Sequence, residues 1–182
     1  ASELMGTEAP WYGEWISRRD LDDPRWKSGN LTAALDQVRV PVLLQGGWQD
    51  VFLGQTLTAY ARLADRGVEV GLTVGPWTHA QGGAAGTRVL LPDALAWLDE
   101  HLAGSGVRSR ATPVKVFVSG EGWRDIPAWP PATVEQVLYP RSGGILAGQP
   151  AESGETSEFT YDPVTPTPTY GGAFVTQVSP GF

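Results

Sequence analysis

The stretch VRVPVLLQGGWQDVF, residues 38–52, decides the fold. Its apolar, β-branched run over 38–45 is closed by Gly46 and Gly47, as expected of a strand buried on both faces of a parallel sheet. A helix is predicted over QTLTAYARLADRG (55–67), where Leu57, Tyr60, Ala61 and Ala64 share one face and Gly67 supplies the stop. VEVGLTVGPW (68–77) reads as a second strand. PDALAWLDEHLAG (92–104) reads as a second helix, with Pro92 in its first turn, Leu91, Leu95, Leu98 and Leu102 along one face, and Gly104 past its end. Strand, helix, strand, helix implies an α/β protein whose parallel strands are covered by helices.

The remainder of the 182 residues differs in composition. Residues 1–34 are aromatic and acidic, with Trp11, Tyr12, Trp15 and Trp26 close together, and such rings need a surface to cover them. Beyond GSGVRSRATP (104–113), a linker by composition, helical signals stop. PVKVFVSG is a clear strand, ATVEQVLYP a second one, and the Gly-, Pro-, Ser- and Thr-rich remainder suggests a β-sandwich with long connections. The expected layout is therefore 1–34, 35–112 and 113–182, the middle segment being the α/β part.

A net charge of −7 argues against nucleic acid and anionic membrane as partners, since 13 basic residues are scattered among 20 acidic ones. No run reaches the roughly 18 apolar residues of a membrane span. Without cysteine there is no disulfide, thiolate metal site or cysteine nucleophile, and two histidines make a histidine-rich metal site an unpromising expectation. No cofactor is implied. The N-terminus lacks a signal-peptide layout, which favours the cytoplasm only if the parent protein starts there.

Asp50 and His79 each stand just beyond the carboxyl end of an expected strand, 29 residues apart, where loops of open α/β sheets converge. Acid before histidine is the chain order of an α/β-hydrolase triad. In that reading Asp50 fixes the tautomer of His79, and His79 takes the proton from a hydroxyl nucleophile. No GxSxG turn exists to supply the serine. Ser2, Ser17 and Ser28 precede Asp50 without flanking glycines, and Ser119 has Phe117 where the elbow glycine belongs. The blander roles are a helix-capping Asp50, a buried and satisfied His79, and a surface His101. Trp48 and Trp77, two residues before the acid and the base, read as core rings at the sheet end and as candidates to line a substrate pocket. The carboxylates of DLDD (20–23) lack the glycine and distal glutamate of a calcium loop and read as a solvated turn.

VPVLLQGGWQDVF and LTVGPWTHA resemble the acid and histidine segments of the cocaine-esterase-like (CocE/NonD) serine hydrolases, which include α-amino-acid ester hydrolases and X-prolyl dipeptidyl peptidases. DDPRW is similar to the end of that family's helical cap. VKVFVSGEGWRDIPAWPP and YDPVTPTPTYGG resemble the entry to its C-terminal jelly roll. The resemblance implies that Asp50 and His79 are the triad acid and base, and that Phe52 helps line the acyl pocket. It further implies that the serine and the oxyanion donors lie upstream of this chain. The chain alone is then expected to be inactive, and its substrate to be a small ester or amide. Its partner is expected to be the missing N-terminal part or a second copy meeting an exposed sheet edge. The alternative is a non-catalytic binding module or pseudoenzyme fragment.

Overall fold

A computed structural model of the chain describes residues 10–20, 23–27, 29, 31–152, 156, 158–167, 172–173 and 175. Two short helices, α1 (Pro10–Ser17) and α2 (Pro24–Lys27), lead into a 3-10 turn (Leu31–Gln37) and then into the sheet. The N-terminal rings cover one another edge to face. Trp11 meets Trp15 at 5.1 Å, and Trp15 meets Trp26 at 5.6 Å between centroids, yet Trp11 and Trp15 stay about half exposed. Asp23 accepts from the Arg25 backbone N–H at 2.9 Å and from the Arg18 guanidinium at 2.8 Å, contacts that hold its carboxyl below the usual range. It therefore acts as a cap and ion-pair partner, while Leu21 and Asp22 of the DLDD segment lie outside the described residues.

The central sheet has the order β1-β2-β3-β4, with β1 (Val42–Gly47), β2 (Val70–Gly75) and β3 (Val114–Val118) parallel and β4 (Gly122–Ile126) antiparallel to β3. The first strand begins later than the apolar run suggests. Pro41 has no N–H to donate, and the ladder opens with Val42 N–H donating to the Glu69 carbonyl at 2.9 Å. β2, paired on both sides, is buried at every residue. β1 is only half-buried over most of its length and forms an edge of the sheet among the described residues.

Helix α3 (Leu53–Asp65) lies on one face, where Tyr60 and Leu63 meet Val70, Leu72, Val74, Val114 and Val116. Full burial of Leu63 alone is worth about 1.5–3 kcal/mol. The helix ends as expected at Gly67, whose φ of 71° lets its N–H reach the Ala64 carbonyl while Val68 N–H reaches that of Leu63. The short α4 (His79–Gly82) and the longer α5 (Thr87–His101) follow β2. α5 covers the opposite face, because the alternate β2 residue Thr73 bonds Asp93 of α5 at 2.8 Å. Both crossovers step the same way across the sheet on opposite faces, so they have opposite hands. One of them is therefore the rare left-handed kind.

Four expectations are corrected here. α5 starts five residues before Pro92, which sits inside the helix with no N–H to offer the Arg88 carbonyl. The leucine stripe does not face the sheet: Leu91, Leu95, Leu98 and Leu102 are exposed, and the helix instead buries Trp97 over Gly71. The sheet also does not stop at residue 112, since β3 and β4 extend it, with Leu72↔Val114 and Val74↔Val116 in register. Beyond β4, residues 132–138 carry no strand. Strand structure among the described residues there is the hairpin of β5 (Tyr139–Arg141) and β6 (Ile145–Ala147). No described helix is long and apolar enough to cross a membrane.

Candidate functional site

The glycines that end β1 and β2 let two loops approach each other closely. Beyond β1, Asp50 N–H donates to the Gly47 carbonyl at 3.1 Å, a tight turn that swings the carboxylate across the sheet end. Beyond β2, Thr78 caps α4. Its hydroxyl accepts from Gln81 N–H, and its own N–H donates to Gln81 Oε1 at 3.0 Å, a complete capping box. The T-x-x-Q pattern of THAQ carries that signal in the sequence, and the sequence reading above missed it. Its effect is to fix His79 as the first residue of a helix.

The two loops bring the acid and the base together. His79 Nδ1 lies 3.1 Å from Asp50 Oδ2. The other carboxylate oxygen accepts from Phe52 N–H at 2.8 Å within the turn before α3, whose N-cap is Phe52, so Asp50 does not cap that helix as expected. The Asp50 side chain is 12% exposed and that of His79 50% exposed, so the acid is shielded while the ring faces outward. A carboxylate in its ionised form only accepts, so a hydrogen bond to it would put the imidazole proton on Nδ1 and leave the Nε2 lone pair free. Phe52 meets the imidazole edge to face at 5.0 Å. The Val175 carbonyl accepts from the neighbouring Ala80 N–H at 3.1 Å.

The two tryptophans do not join Phe52 around the histidine. Trp77 is 6% exposed, and its indole N–H donates to the Gly46 carbonyl at 3.0 Å. It fills a niche walled by Gly47, Gly75, Gly82 and Gly86, so it is a core ring and not a pocket wall. Trp48 turns to the α3 face, donating to the Phe117 carbonyl at 2.6 Å and packing on Trp129 at 5.6 Å. It borders an open groove of about 560 Å³ with Val118 and Pro131. Ser119 lies at the β3–β4 turn on that groove. His101 is also not a surface residue: its side chain is 13% exposed and its ring packs tilted against Trp97 at 4.2 Å between centroids.

The family model for X-Pro dipeptidyl-peptidase (S15 family) matches residues 3–81, a span that holds both Asp50 and His79. Across 94% of the chain, 28% of residues are identical to the cocaine esterase of Rhodococcus sp. (strain MB1 Bresler). The chain is thus similar to a cocaine esterase over most of its own length and to the S15 peptidase family over residues 3–81. A solved structure of an aminopeptidase from the marine sediment archaeon Thaumarchaeota archaeon superposes over 94% of the chain with a TM-score of 0.68 at 23% identity, a likeness of fold. The chain spans about a third of each of these longer relatives, 34% and 32%. The likeness to that solved structure is in keeping with the mixed α/β sheet described above.

Proposed function

We propose that this chain is the C-terminal part of a serine hydrolase that cleaves ester or amide bonds through an acyl-enzyme, with Asp50 as triad acid and His79 as triad base. The observation that carries the proposal is the His79 Nδ1 to Asp50 Oδ2 contact of 3.1 Å, with the imidazole half exposed on its other side. Nothing in the sequence forms a GxSxG turn, and the relatives are about three times longer, which supports a nucleophile contributed by sequence upstream of residue 1. In this layout residues 1–34 close the cap and the hydrolase sheet runs on through β4. The jelly roll begins beyond β4, later than the break at residue 112 that composition suggests.

The chemistry follows from the geometry. The serine hydroxyl attacks the acyl carbon as its proton passes to His79 Nε2, and Asp50 stabilises the imidazolium that forms. The same proton then goes to the departing alcohol or amine as its bond to the acyl carbon breaks. Water, deprotonated by His79, releases the acid and restores the serine. Phe52, edge-on to the imidazole, stands where the acyl group would rest.

The test uses a fluorophosphonate probe. The 182-residue chain should take no label and show no turnover of p-nitrophenyl butyrate. The full-length protein should be labelled at a serine before residue 1, and Asp50→Asn or His79→Gln should lower its kcat by about 10⁴ to 10⁶. Labelling of the 182-residue chain itself, or a full-length His79→Gln protein with ordinary kcat, would overturn the proposal. The second of these results would favour the non-catalytic reading.

A further inference from the structure

Asp50 and His79 sit on separate loops, and their meeting depends on what holds those loops. Backbone contacts supply part of it: Trp48 N–H donates to the Gly75 carbonyl at 2.9 Å and Gln49 N–H to that of Trp77 at 3.3 Å. Further supports come from a third place. Trp48, on the acid loop, spends its indole N–H on the Phe117 carbonyl of β3 at 2.6 Å. Trp77, on the base loop, rests on Trp123 of β4 at 5.8 Å between centroids. Trp123 is in turn held by Phe117 at 5.6 Å and by the Lys115 ammonium 5.7 Å above its ring. Phe117 and Trp123 are register partners, so both loops are tied to one rung of the β3–β4 hairpin, one loop on each face of the sheet.

We propose that the β3–β4 hairpin is the positioning element of the acid–base pair, acting through Trp48 and Trp77. The proposal rests on the assignment of Asp50 and His79 as that pair. Neither tryptophan packs against the His79 ring, which meets Phe52 instead. Each converts the fixed Phe117–Trp123 rung into a fixed loop height, and together they set the distance between carboxylate and imidazole. This explains why a large ring stands two residues before both the acid and the base. A ring there reaches back over its own strand end to the neighbouring hairpin, while the residue two further on points forward.

The test reads the pair directly, without activity. In the chain labelled with ¹⁵N-histidine, His79 should show a single Nδ1–H tautomer with a slowly exchanging low-field proton, assigned against His101 with His101→Gln. Trp48→Phe keeps the ring and removes only the N–H that bonds Phe117, and Trp123→Leu removes the support under Trp77. Each should speed exchange of the His79 proton by about tenfold or more and mix the tautomers. Leu63→Ala, a cavity in the core beneath α3, should lower thermal stability at least as much and leave the His79 signal within about twofold of the parent. If Trp123→Leu fails to fold, the milder Trp48→Phe decides. Hairpin variants that keep the parent signal, or a Leu63→Ala chain that loses it equally, overturn the positioning role and leave the pair intact. A parent chain with no such signal overturns the pair itself.

Discussion

A methyl group on Gly47 would overlap the Trp77 backbone carbonyl, and one on Gly75 would overlap the Trp77 indole. Neither neighbour is a flexible side-chain end, so neither can yield. Gly75→Ala should therefore destabilise the chain by about 3 kcal/mol or more, the scale of overpacking a tight core. Gly54, in the first turn of α3, has nothing within 4 Å of an added methyl. Gly54→Ala should be stabilising by about 0.5–1 kcal/mol through the unfolded chain. Urea unfolding of the two variants checks the pair, and equal effects would remove the niche account of Trp77. These cases also show which residues were legible in sequence. The positions of Asp50 and His79 beyond the ends of β1 and β2 were legible because strand ends are local signals. The role of Trp77 could not, because its partners Gly46 and Gly86 stand 31 residues before it and nine after it. The glycines read individually as turn residues, and the ring that requires them is a tertiary fact.

At the scale of elements, α5 is fastened to the sheet by a buried polar cluster and not by its leucines. Asp93 accepts from Thr73 of β2, from Gln45 of β1 at 3.1 Å, and from Arg110 Nη2, which reaches both carboxylate oxygens at 2.6 and 2.8 Å. Arg110 also donates to the Leu72 and Pro113 carbonyls, and both charged side chains are about nine-tenths buried. Removing one partner strands the other, so Asp93→Asn should cost about 3–5 kcal/mol. Asp93→Leu with Arg110→Met should recover much of that loss in the same denaturation assay. The linker beside this cluster carries a pH-dependent tie. Glu100 accepts from the backbone N–H and hydroxyl of Ser109, with His101 and Arg108 nearby, and its carboxyl is held below the ordinary value of 4.5. A depressed folded-state value means that stability from this group is present above about pH 5 and lost as acid protonates it. Glu100→Gln should flatten the stability profile between about pH 5 and pH 3 while lowering stability at neutrality, and a profile unchanged in slope would refute the tie. None of this cluster was legible in advance. Polar residues inside a helix and a linker read as solvated, and only the fold shows that they converge. The helices and strands were legible where periodicity was strong, as in α3 and β2. The start of α5 was misplaced because Pro92, an N-terminal residue by habit, sits within the helix here.

For the whole molecule, the decisive feature is apolar surface without a cover among the described residues. Leu91, Leu95, Leu98 and Leu102 lie exposed along α5, and β1 presents an edge with strand pairing on one side only. A row of four leucines on a helix and an open edge of a parallel sheet are both surfaces that folded proteins normally bury or blunt. Their coexistence fits the proposal that the rest of a longer hydrolase covers them. It also explains why the parallel arrangement of β3 with β2 escaped the sequence: the 38 residues between those strands read as the end of one domain and a linker to the next. The 182-residue chain on its own should then associate with itself. Sedimentation velocity between about 5 and 200 µM should show a weight-average mass that rises with concentration. Leu95→Glu with Leu98→Lys should reduce that rise by placing charges in the stripe, and association that persists unchanged would assign it to the β1 edge. Addition of the upstream part of the protein should abolish association altogether, because it would occupy the same surfaces. A compact monomer across the whole range, stable to heat without that part, would mean that the stripe and the edge need no cover and would take away the physical ground for a missing half.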